Sequence, residues 1–520
     1  MNLLKSLLIA FLLNIYLFEN SISSLVSIFE IIRHGARTSK PFSNINSILN
    51  YDTKTTQLTF SGFTQHLLFG NILRKQKKYK KFFLNSSIDI LAISSPVERC
   101  IFSAIAHLTG LFPKHLIEYN NINKYYGLNS NNDYPPNYEQ QVSDYLINFK
   151  KKVKLNIEDP ISDVFFHAKR CYYSDTNAFD NYNTKDNYNN NNNNNYNNNL
   201  TIINQLPNED IFDISKNEII EAIIEIQESL ILTYKDIIKE KLWNFKYDNT
   251  NYNKYAYSDV SGILRDLVEF IVPLRYHISE ERYNKLKFSK RTELIILKDL
   301  IQNFYGRKLN NLNQKTLLIN EFVKTLNQRL NHSIDNFKKT FTLLSGHDSN
   351  IVNLISFFLN TKKLKRNIIK NIEKLSNEKD ITIRMDNRFV NLYDNIDNMN
   401  SDYKDKYNKL NTFFKTIIPP FASSLIIELH NYKDNSDFNK KNNNYTAMLF
   451  FKNKENILKE YSNTKEFENY YVKIFMNNIE LKNDLVDDLK YVDNKGITLN
   501  TFIKYLSKKT IDTNVKLWKC

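Results

Sequence analysis

Six side chains in three short segments have the types and spacing to hold and transfer a phosphoryl group. Arg33-His34-Gly35-Ala36-Arg37 sets two guanidiniums around one imidazole. Arginine presents a planar fork of donors that matches phosphate oxygens. An imidazole attacks phosphorus only when neutral, so its other ring nitrogen needs an acceptor that fixes the tautomer. Arg99 falls in the first turn of a helical pattern that begins at Val97. Helix N-termini attract anions through free N–H groups and the macrodipole, so a cation there is misplaced unless an anion joins it. His347-Asp348 adds a second imidazole and a carboxyl. An adjacent His and Asp suit a metal, but no other His, Cys, Asp or Glu cluster stands at ligand spacing, and no metal or other cofactor is expected. His347 reads instead as a further phosphate donor and Asp348 as general acid for the departing oxygen. The residue types leave open which of His34 and His347 is the nucleophile.

Three strand–turn–helix units must carry these residues. Leu25 to Ile32 reads as a buried strand running straight into Arg33. Ile88 to Ile93 reads as a strand, Ser94-Ser95-Pro96 as a turn, and the residues from Val97 as a helix. That helix has Ile101, Ile105, Leu108 and Phe112 on one face and Pro113 as its stop. Phe341 to Leu344 is the third strand, Ser345 to Asp348 the turn, and Asn350 to Leu359 the helix, with Ile351, Leu354, Ile355 and Phe358 inward. A further helix over Ser61 to Lys75 follows Thr59 as N-cap. Alternating strands and helices predict an α/β fold, a doubly wound, mainly parallel sheet flanked by helices. Ligands of such sheets bind at the carboxyl ends of the strands, where all three turns lie.

Other segments have a different character. Glu218 to Leu242, Ser261 to Val272 and Lys315 to Leu330 read as amphipathic helices, so residues 116–338 are expected to form a large, mainly α-helical insert capping the site. Within it the Asn-rich tract at about 182–199 has no apolar period and reads as a disordered loop. The core is expected to run over 24–115 and 339–520, with a polar insert at about 361–405 outside it. Ser423 to Leu429, Tyr445 to Phe451 and Tyr470 to Met476 read as late strands, the last two as a hairpin.

The chain has 520 residues, 42% hydrophobic, 13% aromatic and 24% charged, which excludes a wholly disordered chain, a collagen-like repeat and a multi-span membrane protein. Its 71 Lys and Arg against 56 Asp and Glu give a net charge of +15. With only 9 Gly beside 32 Tyr and 35 Phe, that balance reads as coding bias toward Lys, Asn, Ile and aromatics, not as a nucleic-acid signature. Zinc-finger spacing, an RRM signature and a basic helix with interleaved aromatics are all missing, so no nucleic-acid partner is expected. At the N-terminus, Lys5, an apolar run from Ser6 to Phe18 and the small residues Ser21-Ile22-Ser23 have the layout of a signal peptide over 1–23. The run is shorter than the roughly 20 residues of a membrane span. The expected location is the secretory pathway, with the mature chain secreted or in a lysosomal or vacuolar lumen and not held in a membrane. Asn85, Asn199, Asn331 and Asn444 head N-glycosylation sequons.

Taken together, the segments resemble the histidine acid phosphatases of the histidine phosphatase superfamily. Arg33-His34-Gly35-Ala36-Arg37 is similar to that family's RHGxRxP motif, and Ser345-Gly346-His347-Asp348 to its HD motif. Ser94 to Ala104 looks like the segment holding a third active-site arginine. Leu58-Thr59, Gly62, Gln65, Gly70 and Leu73-Arg74 resemble its first helix, and Pro419 to Ser423 and Tyr470 to Lys473 its late strands. The resemblance implies His34 as the nucleophile that becomes phosphohistidine. It implies Arg33, Arg37, Arg99 and His347 as phosphoryl ligands and Asp348 as the acid, with no metal. One departure stands in the first motif, where the family's proline is Ser39 and Pro41 arrives two positions later. Three cysteines leave one thiol unpaired in an exported chain. Cys100, inside an apolar helical pattern, reads as that buried thiol, leaving Cys171 and Cys520. The family joins its helical insert to the C-terminal segment by a disulfide, which implies that Cys171 and Cys520 pair.

The expected function is therefore an acid phosphatase acting on phosphate monoesters, its oligomeric state open and a homodimer one choice. Its rivals are a phytase or inositol-polyphosphate phosphatase of the same superfamily and, in another class, an inactive basic binding protein.

Overall fold

The computed structural model describes residues 24–38, 56–84, 87–119, 151–158, 172–173, 211–234, 256–274, 286–302, 312–335, 338–377, 419, 421–432, 469–509 and 518–519. Strand β1 (Ser24–Arg33) is followed by α1 (Phe60–Lys75), α2 (Lys77–Phe83), β2 (Asp89–Ser94) and α3 (Glu98–Leu111). Next come β3 (His115–Tyr119), β4 (Lys151–Ile157) and β5 (Tyr172–Tyr173). Helices α4 (Lys216–Tyr234), α5 (Tyr257–Leu274), α6 (Lys290–Gln302) and α7 (Leu312–Asp335) lead to β6 (Thr340–Gly346), α8 (Asp348–Phe358) and α9 (Thr361–Asn377). The chain closes with β7 (Ser424–Asn431), β8 (Tyr470–Met476), β9 (Ile479–Glu480), β10 (Ile497–Thr498), α10 (Leu499–Lys509) and β11 (Trp518–Lys519). Among the described residues no helix is long and apolar enough to cross a membrane.

The main sheet runs β10-β8-β7-β1-β6-β2-β4-β3. From β1 to β3 every neighbour is parallel, and from β1 to β10 every neighbour is antiparallel. β1 is apolar almost throughout because both its faces are covered, as parallel strands require. Ile28 and Ile32 point to one side, among Tyr79, Phe82, Ile101 and Ile105 of α2 and α3. Phe29 and Ile31 point to the other, among residues of α4 to α9.

The expected α/β fold is present, but its boundaries differ. Strands β3 and β4 lie in the stretch expected to be helical cap, yet they extend the parallel sheet. Each is short, and the apolar positions of β4 are set among lysines in Lys151-Lys152-Val153-Lys154-Leu155, so periodicity does not reveal them. At the other end of the same stretch, α7 packs directly on the sheet. Phe322 meets Phe29 edge-on at 5.4 Å, and Arg329 Nε donates to Thr342 Oγ1 at 2.9 Å. The polar insert expected outside the core begins with α9, whose Leu364, Ile368, Ile372 and Leu375 are buried in that core. Lys365, Arg366, Lys370 and Lys374, set between those positions, mask the stripe. The proposed signal peptide, the Asn-rich tract, the strand at Tyr445–Phe451 and residues 378–405 lie outside the described residues.

Two helices cross at backbone contact on the sheet's α1–α3 side. A Cβ on Gly70 of α1 would come 2.3 Å from His107 O, and one on Gly110 of α3 would come 2.3 Å from Leu67 O. Helix propensity favours alanine over glycine by about 1 kcal/mol, but no rotamer relieves a clash with backbone, so the helices must part. Gly110→Ala should therefore destabilise the fold by about 2 kcal/mol net, read as a lower urea midpoint at unchanged slope.

Candidate active site

The three chemistry-bearing turns meet because β1, β6 and β2 are parallel neighbours in register. Arg33 is level with Gly346, and Ser94 with Ser345. The ladder continues into the turns, where the His34 N–H donates to Gly346 O at 3.0 Å and the Ser95 N–H to Ser345 O at 3.0 Å. Past His34 the chain passes the start of α1 at close range. A Cβ on Gly35 would come 2.2 Å from Gly62 O, so only glycine fits there. Thr59 caps α1 by accepting from the Gly62 N–H at 2.9 Å, and its own hydroxyl donates to Ala36 O at 3.0 Å. Arg37 bridges Leu58, and the Thr38 N–H donates to Gln57 O at 2.8 Å. Residues 36–38 are thus held by 57–59, although the family's proline is replaced by Ser39, which lies outside the described residues.

His34 is 4% exposed. Its Nδ1–H donates to the carbonyl of Gly35 at 2.9 Å, since a carbonyl can only accept. That bond leaves the lone pair on Nε2. Burial, then the charges of Arg99, Arg33 and His347, hold its pKa well below 6.5, against a smaller raising effect of the Gly35 bond. His347 lies edge-on to it, ring centroids 5.6 Å apart. Arg33 Nη2 is 3.3 Å from Asp348 Oδ2, and Nη1 donates to Pro419 O at 2.5 Å. Burial and the neighbouring Arg99 lower the pKa of Arg37 to about 10, opposed by Glu269, so it remains a cation in neutral and acid solution. Arg99, in the first turn of α3, has Nη1 3.4 Å from Thr56 O. Arg33 and Arg99 thus disfavour the charged form of both His34 and Arg37, a concentration of positive charge that Glu269 and Asp348 partly offset at Arg37. His347 caps α8, with its N–H donating to Asn350 Oδ1 at 2.8 Å, and Asp348 is the helix's first residue.

The family model of the histidine phosphatase superfamily (branch 2) matches residues 24–477. The chain belongs to that family. It is a phosphatase of the hydrolase class. Among solved structures, this histidine phosphatase is similar to a Klebsiella sp. ASR1 phytase at 10% identity, over 94% of this chain and 97% of that one, with a TM-score of 0.41. A Hafnia alvei phytase in complex with myo-inositol hexakis sulphate matches at 11% identity, over 94% and 98%, TM-score 0.43. A Bifidobacterium longum multiple inositol polyphosphate phosphatase matches at 10%, over 95% and 94%, TM-score 0.41. A search of curated proteins finds no match.

The structure brings together all six residues singled out from the sequence, Arg33, His34, Arg37, Arg99, His347 and Asp348. Cys171 and Cys520 lie outside the described residues, while Cys100 is buried, its Sγ 3.8 Å from His347 Nδ1. Four neighbours escaped the sequence reading. Phe421 stacks under the Arg33 guanidinium, 4.4 Å from ring centre, and beside His34 at 5.8 Å. Ser95 Oγ stands 3.5 Å from His347 Nε2. Glu269 of α5 sits 3.5 Å from Arg37 Nη2, bringing that helix to the arginine cluster. His66 of α1 reaches the Arg33 carbonyl from below. Only Ser95 and Phe421 carried a local signal, each standing inside a segment already matched to the family.

Proposed function

We propose that this histidine phosphatase is an acid-active phosphomonoesterase working through a phosphohistidine. His34 Nε2 attacks phosphorus, the P–O bond to the leaving group breaks, and Asp348 gives its proton to that oxygen. Water then attacks phosphorus, the P–Nε2 bond breaks, and inorganic phosphate leaves with His34 restored. Arg33, Arg37, Arg99 and His347 hold the equatorial oxygens, the electrostatic positioning on which phosphoryl transfer chiefly depends. One observation carries the reading: His34 is buried beside the Arg33 and Arg99 guanidiniums with Nδ1–H tied to Gly35 O, which leaves Nε2 bare and the ring neutral.

The pH dependence follows in sign. A histidine nucleophile of ordinary pKa loses its lone pair as pH falls through about 6.5. His34, held well below that value, keeps it in acid. Hydrolysis of an aryl phosphate should therefore persist at pH 5, survive EDTA, and leave label from a 32P-substrate on the chain that acid releases and alkali does not. Activity that needs a divalent metal, or a chain inert on both aryl phosphate and phytate, overturns the proposal.

The same reading covers export. Residues 1–23 are removed, the chain enters the secretory pathway, and Cys171 pairs with Cys520. In its support, β5 and β11, each adjoining one of these cysteines in sequence, pair antiparallel with Lys519 opposite Tyr172. Of the sequons, Asn331-His332-Ser333 lies inside α7 with Ser333 fully buried, so Asn331 is not expected to carry sugar.

A further inference from the structure

Three polar side chains lie beneath the tip of β1, fully buried and outside the phosphate site: Glu30, His66 and His107, each at 0% exposure. His66 Nε2 is 2.9 Å from the carbonyl oxygen of Arg33. A carbonyl only accepts, so Nε2 carries the hydrogen and Nδ1 does not. Burial, with His107 beside it, lowers the His66 pKa to about 3, which makes the ring a neutral donor across any working pH. On its nitrogen side the same peptide unit is held by β6, through the His34 N–H to Gly346 O. The amide joining Arg33 to His34 is thus gripped at its oxygen from α1 and at its nitrogen from β6. Turning that plane would move a phosphate ligand and the nucleophile together.

His66 is itself backed. His107 of α3 meets it edge-on, centroids 5.7 Å apart and planes at 88°, and Phe69 flanks His107 at 5.2 Å. His107 Nε2 is 3.1 Å from Glu30 Oε2, and Glu30 belongs to the strand whose tip His66 grips. The three stand on the side of the sheet filled by Ile28, Ile32, Ile101 and Ile105, where apolar side chains of similar volume would serve stability as well or better. Their polarity needs another reason.

We propose that His66 is a positioning residue for the phosphoryl transfer, fixing the Arg33–His34 peptide so that Nε2 of His34 meets phosphorus in line, with the His107–Glu30 pair as its backing. The proposal rests on the reading of His34 as nucleophile. Small displacements of a reacting group lower rates steeply, so the loss should fall on kcat.

The test compares three variants on aryl phosphate, with single-turnover labelling of the chain as second readout. His66→Leu fills the space without a donor and should lower kcat and the labelling rate at least thirtyfold, with KM within about threefold of wild type. His66→Gln can set an amide N–H where Nε2 stands and should recover kcat to within about threefold. His66→Asn, too short to reach, should behave like the leucine variant and keeps the comparison open if leucine prevents folding. Equal kcat in Gln and Asn variants, or activity losses that simply follow urea midpoints, overturns the positioning role. Should wild-type chain take no label at all, the phosphohistidine reading fails instead, and that is seen before any variant is made.

Discussion

The His34→Ala enzyme should turn over aryl phosphate on the order of 10⁴-fold more slowly than wild type, or not measurably, and should carry no label from substrate. The size of the loss follows from the chemistry. In the proposed mechanism the arginines and His347 stabilise charge on a phosphoryl group in transit, and a guanidinium cannot serve as the nucleophile. His347, the other imidazole, has Ser95 and Cys100 close about its ring, and it stands edge-on to His34 at 5.6 Å; it cannot take over without moving. Binding should survive, because Arg33, Arg37 and Arg99 remain and the buried repulsion among them is still relieved by an anion. Inorganic phosphate should therefore still raise the melting temperature of the variant. Retained turnover would move the nucleophile elsewhere. Loss of both turnover and phosphate binding would mean that the mutation broke the site, and His34→Asn, which keeps polar volume, would then be the variant to assay.

Much of this site was legible because its parts are local. β2 with the Arg99 helix and β6 with His347-Asp348 each combine an apolar run, a turn and a helical stripe within some 25 residues, β1 runs straight into Arg33-His34, and a parallel sheet brings their carboxyl ends together. The Thr59 cap was legible for the same reason, since capping is decided within one turn. What stayed hidden depends on distant pairing or on masking composition. Glu269 reaches Arg37 across 232 positions, and no pattern around residue 269 sets it apart from other helix-surface carboxylates. His66 reads as one more residue of an amphipathic helix until α1 is seen to cross α3 at Gly70 and Gly110. β4 and α9 owe their burial to a few Val, Leu and Ile residues separated by lysines whose stems extend past them to water. Four of the nine glycines, Gly35, Gly62, Gly70 and Gly110, sit at two backbone contacts; in a chain this poor in glycine, those positions mark where α1 must approach closely.

Replacing Asp348 by Asn separates proton donation from positioning. The carboxylate lies 3.3 Å from Arg33 Nη2, its side chain 25% exposed, so it both pairs with Arg33 and reaches solvent. Asparagine keeps an oxygen for Arg33 but has no proton to give. Aryl oxides leave with little help, whereas alkoxides are poor leaving groups until protonated. Asp348→Asn should therefore cost aryl phosphates about tenfold or less and alkyl phosphates on the order of 10²- to 10³-fold, within the usual range for general-acid catalysis. The measurement is the phosphorylation step across esters of graded leaving-group basicity, which should fall more steeply with basicity in the variant than in wild type. A parallel fall, equal on aryl and alkyl esters, would assign Asp348 to holding Arg33 and leave the acid to be found elsewhere. Dephosphorylation gives an independent check: the leaving group has gone by then, so a deficit confined to the first step is the signature of a proton delivered to the departing oxygen.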